Sequence, residues 1–133
     1  MRELLAIQQR DLEWETWSQD LIAERGLVHW KTLISSDVTA SDSLTVGLAE
    51  LRPGEKLNLH HHAQAEVYYI LEGTGMMTVG EQQQVVEAGT AIFILGNAVH
   101  GIANNSDSRL QWLYVFPADS FRDINYIFDE QSS

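Results

Sequence analysis

Cysteine is absent from the 133-residue chain. That single absence removes a disulfide framework, a thiolate metal site and a cysteine nucleophile. Basic side chains are scarce as well: eight Lys and Arg stand against nineteen Asp and Glu, a formal charge of −11. Nucleic-acid binding needs phosphates neutralised by Lys and Arg, so no nucleic-acid partner is expected. Anionic membrane surfaces are disfavoured for the same reason. No apolar run approaches the roughly 20 residues that span a bilayer, and the N-terminus lacks the apolar core of about 7–15 residues that marks a secretory signal. The expectation is a soluble, cytoplasmic protein with no membrane partner. At this length it forms one domain.

What is present divides into three parts. In residues 1–26, Trp14, Trp17 and Leu21 recur at helical spacing among Asp11, Glu13, Glu15, Asp20 and Glu24. This predicts an N-terminal helical segment, ended by Gly26, with the acidic residues on a solvated face. After Gly26 the period becomes two: Val28, Trp30, Thr32 and Ile34 alternate with Leu27, His29, Lys31 and Leu33. Short alternating runs continue to residue 116, punctuated by Ser41-Asp42-Ser43, Pro53-Gly54, Gly73-Thr74-Gly75, Gly80, Gly89, Gly96-Asn97 and Asn104-Asn105-Ser106. About eight or nine short strands at near-regular spacing predict an all-β sandwich or barrel over 27–116. The last strand is Leu110–Phe116, closed by Pro117. The tail, 117–133, carries Phe121, Ile124, Tyr126, Ile127 and Phe128, too apolar for solvent and expected to pack on the barrel.

Four of the five histidines fall in two places, His60-His61-His62 and His100. Residues two apart on a strand share a face, so His60 and His62 converge while His61 points away. A tight turn after His62 would bring Glu66 back towards them, and His100 opens a further run with Ile102 and Asn104 on its face. Taken alone, the triple histidine fits a solvated surface feature and His100 a hydrogen-bonded core group. Linked with Glu66, they make three imidazoles and a carboxylate on one inward face, a set suited to a transition metal.

Residues 54–73, GEKLNLHHHAQAEVYYILEG, place Gly54, His60, His62, Glu66 and Gly73 at the spacings of the first cupin motif, which the segment resembles at every specified position. Residues 89–104, GTAIFILGNAVHGIAN, resemble the second cupin motif through Gly89, His100 and Asn104, with Leu95 and Asn97 where proline and glycine are usual. The resemblance implies a small cupin barrel, a double-stranded β-helix or jelly roll. It also implies one divalent transition metal on His60, His62, Glu66 and His100, with iron, manganese, nickel, cobalt and zinc all compatible.

Fold does not set reaction, so the other inward-facing residues matter. Tyr68 shares the face of Glu66, where a nearby divalent charge would favour its phenolate, making it a candidate base; a hydrogen-bonded core tyrosine is the plainer alternative. Trp112, Tyr114 and Phe116 share one face of the last strand. With Trp30, the first two could hold an onium cation through cation–π attraction; Phe116 reads as core. The HxHxxxExY arrangement from His60 to Tyr68, the tail tyrosine Tyr126 and the stretch from Val28 to Ile34 are similar to the small cupin-type dimethylsulfoniopropionate lyases. That likeness implies Tyr68 and Tyr126 as catalytic tyrosines, Trp30, Trp112 and Tyr114 as substrate-binding residues, and a β-elimination giving acrylate and dimethyl sulfide. The alternatives are a cupin oxygenase or isomerase acting on another small polar acid, and a non-catalytic metabolite- or metal-binding cupin. Leu57 and Leu59 are expected opposite the ligand face, needing cover by the N-terminal segment or a second subunit, and the resemblance implies a homodimer. Arg52 and Arg109 are expected in surface ion pairs, and His29 at a surface or interface.

Overall fold

The computed structural model describes residues 3–129. Ten strands follow one another: β1 (His29–Ile34), β2 (Thr45–Leu51), β3 (Lys56–His61), β4 (Glu66–Glu72), β5 (Thr74–Val79), β6 (Gln82–Glu87), β7 (Ala91–Ile94), β8 (His100–Ala103), β9 (Leu110–Phe116) and β10 (Ile127–Phe128). They form two antiparallel five-stranded sheets, ordered β1-β2-β9-β4-β7 and β10-β3-β8-β5-β6. Period-two patterning explains the packing. Strand β9 buries Leu110, Trp112, Tyr114 and Phe116 and leaves the residues between them half-buried, while β4 buries Glu66, Tyr68 and Ile70 and exposes Val67, Tyr69 and Leu71. Leu51, Ile94, Ile102 and Met77 complete the core between the sheets. The tail joins the barrel, since Ile127 and Phe128 pair with His61 and His60. No described helix is long and apolar enough to cross a membrane.

Three expectations are corrected. The first concerns the N-terminal segment. Its helical part is short, comprising 3-10 turns at Gln9–Asp11 and Gln19–Leu21 and a single α turn, α1 (Ile22–Arg25). Trp14 and Trp17 lie outside it. Residues around them run extended, and Glu15 forms a two-way backbone bridge with Trp30, N to O distances 2.7 and 3.0 Å. Trp, Thr and Ser are indifferent helix formers, and a strand edge and aromatic neighbours offer this segment more than an isolated helix would. Gly26 ends α1 as expected, at φ 86°.

The second correction concerns Leu57, which is buried in the core, not opposite the ligand face. The β3–β8 register breaks between Leu57 and His60. This β-bulge inserts one residue, so two positions three apart both point inward. The outer side of β3 is covered by the N-terminal segment, where Asn58 Nδ2 donates to the Glu24 carbonyl at 2.9 Å and Gly26 bridges Leu57. The third correction concerns the turn after His62. It joins no hairpin, because β3 and β4 belong to opposite sheets, and Glu66 meets the histidines across the barrel.

Both departures from the second motif have a structural reading. Asn97 adopts φ 66°, a left-handed conformation that asparagine tolerates better than other side chains, so the turn before His100 is kept. Leu95 is exposed and constrains nothing inside.

Candidate metal centre

His60, His62, His100 and Glu66 are all buried, none more than 3% exposed. Strand β3 supplies His60, the residue just after its end is His62, β8 supplies His100 beside His60 as its direct cross-strand partner, and β4 supplies Glu66. One ring nitrogen from each of the three histidines lies within 4.8 Å of the others. Glu66 Oε1 stands 3.1 Å from His62 Nε2 and 3.3 Å from His100 Nε2.

The other ring nitrogens set the tautomers. Nδ1 of His60, His62 and His100 lies 2.8, 3.0 and 2.8 Å from the carbonyls of Asn58, Gln64 and Ala98. A carbonyl only accepts, so each Nδ1 carries the proton and each Nε2 lone pair faces inward, as metal-ligating imidazoles require. His60 Nε2 and His100 Nε2 have no hydrogen-bond partner among the described residues, an expensive condition for buried polar atoms. Burial first, and then the charge His100 would carry, hold the His60 pKa well below its usual range. A neutral imidazole is the ligating form. Three inward nitrogens and one carboxylate oxygen thus fit a divalent transition metal. His61 points outward, with Nδ1 3.1 Å from Asp129.

Beside this cluster lies a cavity of about 30 Å³. Its walls bring together Glu66, Tyr68 and Tyr126 with Trp30, Trp112 and Tyr114, so every aromatic residue singled out for catalysis or substrate contact borders one space. The Tyr126 ring packs 5.3 Å from that of His60 and 5.4 Å from that of His62; the Tyr68 ring is 6.3 Å from His100 and 5.3 Å from Trp112. Burial, followed by the charge of Glu66, holds the Tyr68 and Tyr126 phenols well above the ordinary tyrosine range, and the same causes raise Tyr114; Arg25 opposes them at Tyr126. Tyr114 reaches its place because Gly47 lies beneath it: a Cβ there would fall 2.0 Å from the phenol ring.

Two wall residues carried no usable sequence signal. Leu57 enters through the bulge. Trp17 was disguised by a helical period that the chain does not follow. Phe121, expected only to pack, also lines the cavity. Asn104 is a loop fastener, donating to the Leu51 and Ser108 carbonyls at 2.9 and 2.8 Å. Arg109 pairs with Glu72, and Arg52 lies 3.5 Å from Glu50, both at the surface. His29 is half-buried, with Nδ1 3.7 Å from Glu55.

Residues 47–116 match the family model described as "Cupin domain". The chain is 37% identical over 103 residues to the dimethylsulfoniopropionate lyase DddW of Ruegeria pomeroyi, covering 77% of this chain and 67% of that protein. It is 28% identical over 92 residues to an oxalate-binding protein of Thermotoga maritima, covering 68% and 76% respectively. The polyketide cyclase RemF from Streptomyces resistomycificus shares the fold, with a TM-score of 0.78 at 20% identity over 98% of this chain and 89% of its own. One barrel therefore serves lyase, binding and cyclase roles, as expected where function resides in the side chains of a site.

Proposed function

The chain belongs to the cupin family, and from that premise we propose that it is a metal-dependent carbon–sulfur lyase that cleaves dimethylsulfoniopropionate to acrylate and dimethyl sulfide. The observation that carries this reading is the cavity whose walls bring Glu66, Tyr68 and Tyr126 together with Trp30, Trp112 and Tyr114. His60, His62 and His100 through Nε2, with Glu66 through a carboxylate oxygen, would hold the metal. When bound, such an ion polarises a carboxylate and makes the adjacent Cα–H more acidic. Trp30, Trp112 and Tyr114 would receive the sulfonium end by cation–π attraction. Tyr68 or Tyr126 would take the Cα proton as phenolate, a form that a nearby divalent charge favours against the burial and the Glu66 charge that raise both phenols; the C–H electron pair becomes the Cα=Cβ bond, the Cβ–S bond breaks, and its pair leaves on dimethyl sulfide. The proton remains on the tyrosine and passes to solvent, which balances the reaction.

Headspace detection of dimethyl sulfide tests this, with the chain loaded in turn with iron, manganese, nickel, cobalt and zinc. Release should vanish with a chelator and in His62→Ala. The tyrosine acting as base should lose about 10²–10⁴-fold in rate as its Phe variant, and the other much less. No release from protein carrying one metal per chain would sink the lyase reading. A second reading, a cupin that binds a small diacid without turning it over, draws on the oxalate-binding relative and on the small cavity. Oxalate binding by calorimetry without dimethyl sulfide release would favour it. The proposed partners are a small-molecule substrate and a second copy of this chain.

A further inference from the structure

Taking the cavity as the substrate site, as the reading above does, we propose that Trp17 is its specificity-determining wall, setting the size of carboxylate that reaches the histidine cluster. The cavity of about 30 Å³ holds one or two waters, whereas pockets for small ligands run to about 300–1,000 Å³. Some wall must therefore move before a substrate enters. The barrel walls are poor candidates, since β2 pairs with β9 through seven consecutive positions and β4 is paired on both sides. The tail wall is pinned too. Phe121 N donates to Ser35 Oγ at 2.9 Å, and Tyr126 packs on His60 and His62.

Trp17 differs from all of these. It comes from outside the barrel, in a stretch with no helix or strand of its own beyond the Glu15–Trp30 bridge. Its indole Nε1 is buried with no hydrogen-bond partner among the described residues. The side chain is held by rings: Trp30 at 4.6 Å, Tyr126 at 6.1 Å and Phe128 at 6.2 Å. The Arg25 guanidinium lies between Trp17 and Phe128, 4.7 and 5.0 Å from their centroids, and so ties this wall to the tail. Swinging the indole aside breaks no side-chain hydrogen bond. It is the wall with the least opposing its displacement, and low-stability elements of this kind are the ones that open locally.

The test is calorimetric binding of a size ladder (propionate, 2,2-dimethylpropanoate, cyclohexanecarboxylate) to the full zinc-loaded chain, so that no turnover is required. Wild type should lose at least about tenfold in affinity from the first rung to the last, the scale of discrimination a shaped apolar pocket provides. Trp17→Ala should recover that loss on the bulky rung and leave propionate within about threefold. Trp17→Phe and Arg25→Met should fall between, and Trp14→Ala, whose ring stacks on Lys31 away from the cavity, should keep the wild-type ladder. An unchanged ladder in both Trp17 variants overturns the inference, as does an equal shift in Trp14→Ala. Failure of wild type to bind any rung removes the substrate-site reading and the inference together. A shifted ladder without dimethyl sulfide release removes only the lyase reaction.

Discussion

Each clustered imidazole commits Nδ1 to a carbonyl two residues away in sequence, Asn58 for His60, Gln64 for His62 and Ala98 for His100. The orientation of each ring is thus fixed by local backbone, and the pH behaviour follows from the same burial. His60 is disfavoured as imidazolium in the folded chain, whereas in the unfolded chain it titrates near 6.5. Unfolding therefore takes up a proton below that pH. The stability owed to neutral His60 is complete above about pH 6.5 and is lost as pH falls towards the depressed folded value. For chelator-treated protein, the unfolding free energy from urea titrations should drop between pH 7.5 and 5.5, by at most about 1.4 kcal/mol per pH unit for this proton, with a shallower slope in His60→Asn. Equal slopes in the two proteins would contradict this account. The clustering of these residues was legible in the sequence because spacing along strands maps directly onto faces. The face of Leu57 was not, because a bulge adds a residue without leaving a sequence mark.

At the level of elements, the tail is fastened to the barrel by a small buried network. Ser35, fully buried after the end of β1, accepts from Phe121 N at 2.9 Å and from Thr39 Oγ1 through its carbonyl at 3.0 Å. Its hydroxyl also contacts Asp37, whose carboxyl is held below the usual range chiefly by that hydrogen bond. The 3-10 turn Phe121–Asp123 is thereby set over the cavity. Ser35→Ala leaves the Phe121 N–H without its acceptor, so it should cost about 1–3 kcal/mol, read as a lower urea midpoint with an unchanged m-value. A midpoint equal to wild type would mean the tail is held by its aromatic packing alone. The tail's apolar sequence predicted that it packs. Its pairing with β3 depended on where the bulged strand left an open edge, which no local pattern encodes.

At the scale of the molecule, four of the exposed apolar residues share one sheet face. Val67, Tyr69 and Leu71 on β4 lie beside Phe93 on β7, directly opposite Val67, and beside Val115 and Leu113 on β9, opposite Val67 and Tyr69. None of these six is charged, in a chain of net charge −11, so a like-charged copy can approach here without facing its own sign. A stable interface buries about 800 Å² per partner around an apolar centre of this kind. The proposed partner for this face is a second copy of this chain, and the face differs from the outer side of β3 that the N-terminal segment covers. Sedimentation equilibrium should give a dimer, and Phe93→Asp with Tyr69→Asp should give a monomer of unchanged far-UV circular dichroism. A monomeric wild type would rule the interface out.

The sequence by itself determined the class of fold, the inward faces of β4 and β9 and the gathering of His60, His62, His100 and Glu66. These depend on period-two alternation and fixed spacings, and both are properties of a single strand. Only the tertiary structure decided that β3 and β4 face each other across the barrel, that Leu57 turns inward, and that the N-terminal segment gives up its helical period to place Trp17 against Trp30. Those outcomes arise from contacts between segments distant in sequence, where burial of aromatic surface and closure of strand edges outweigh the weak local preferences of the residues involved.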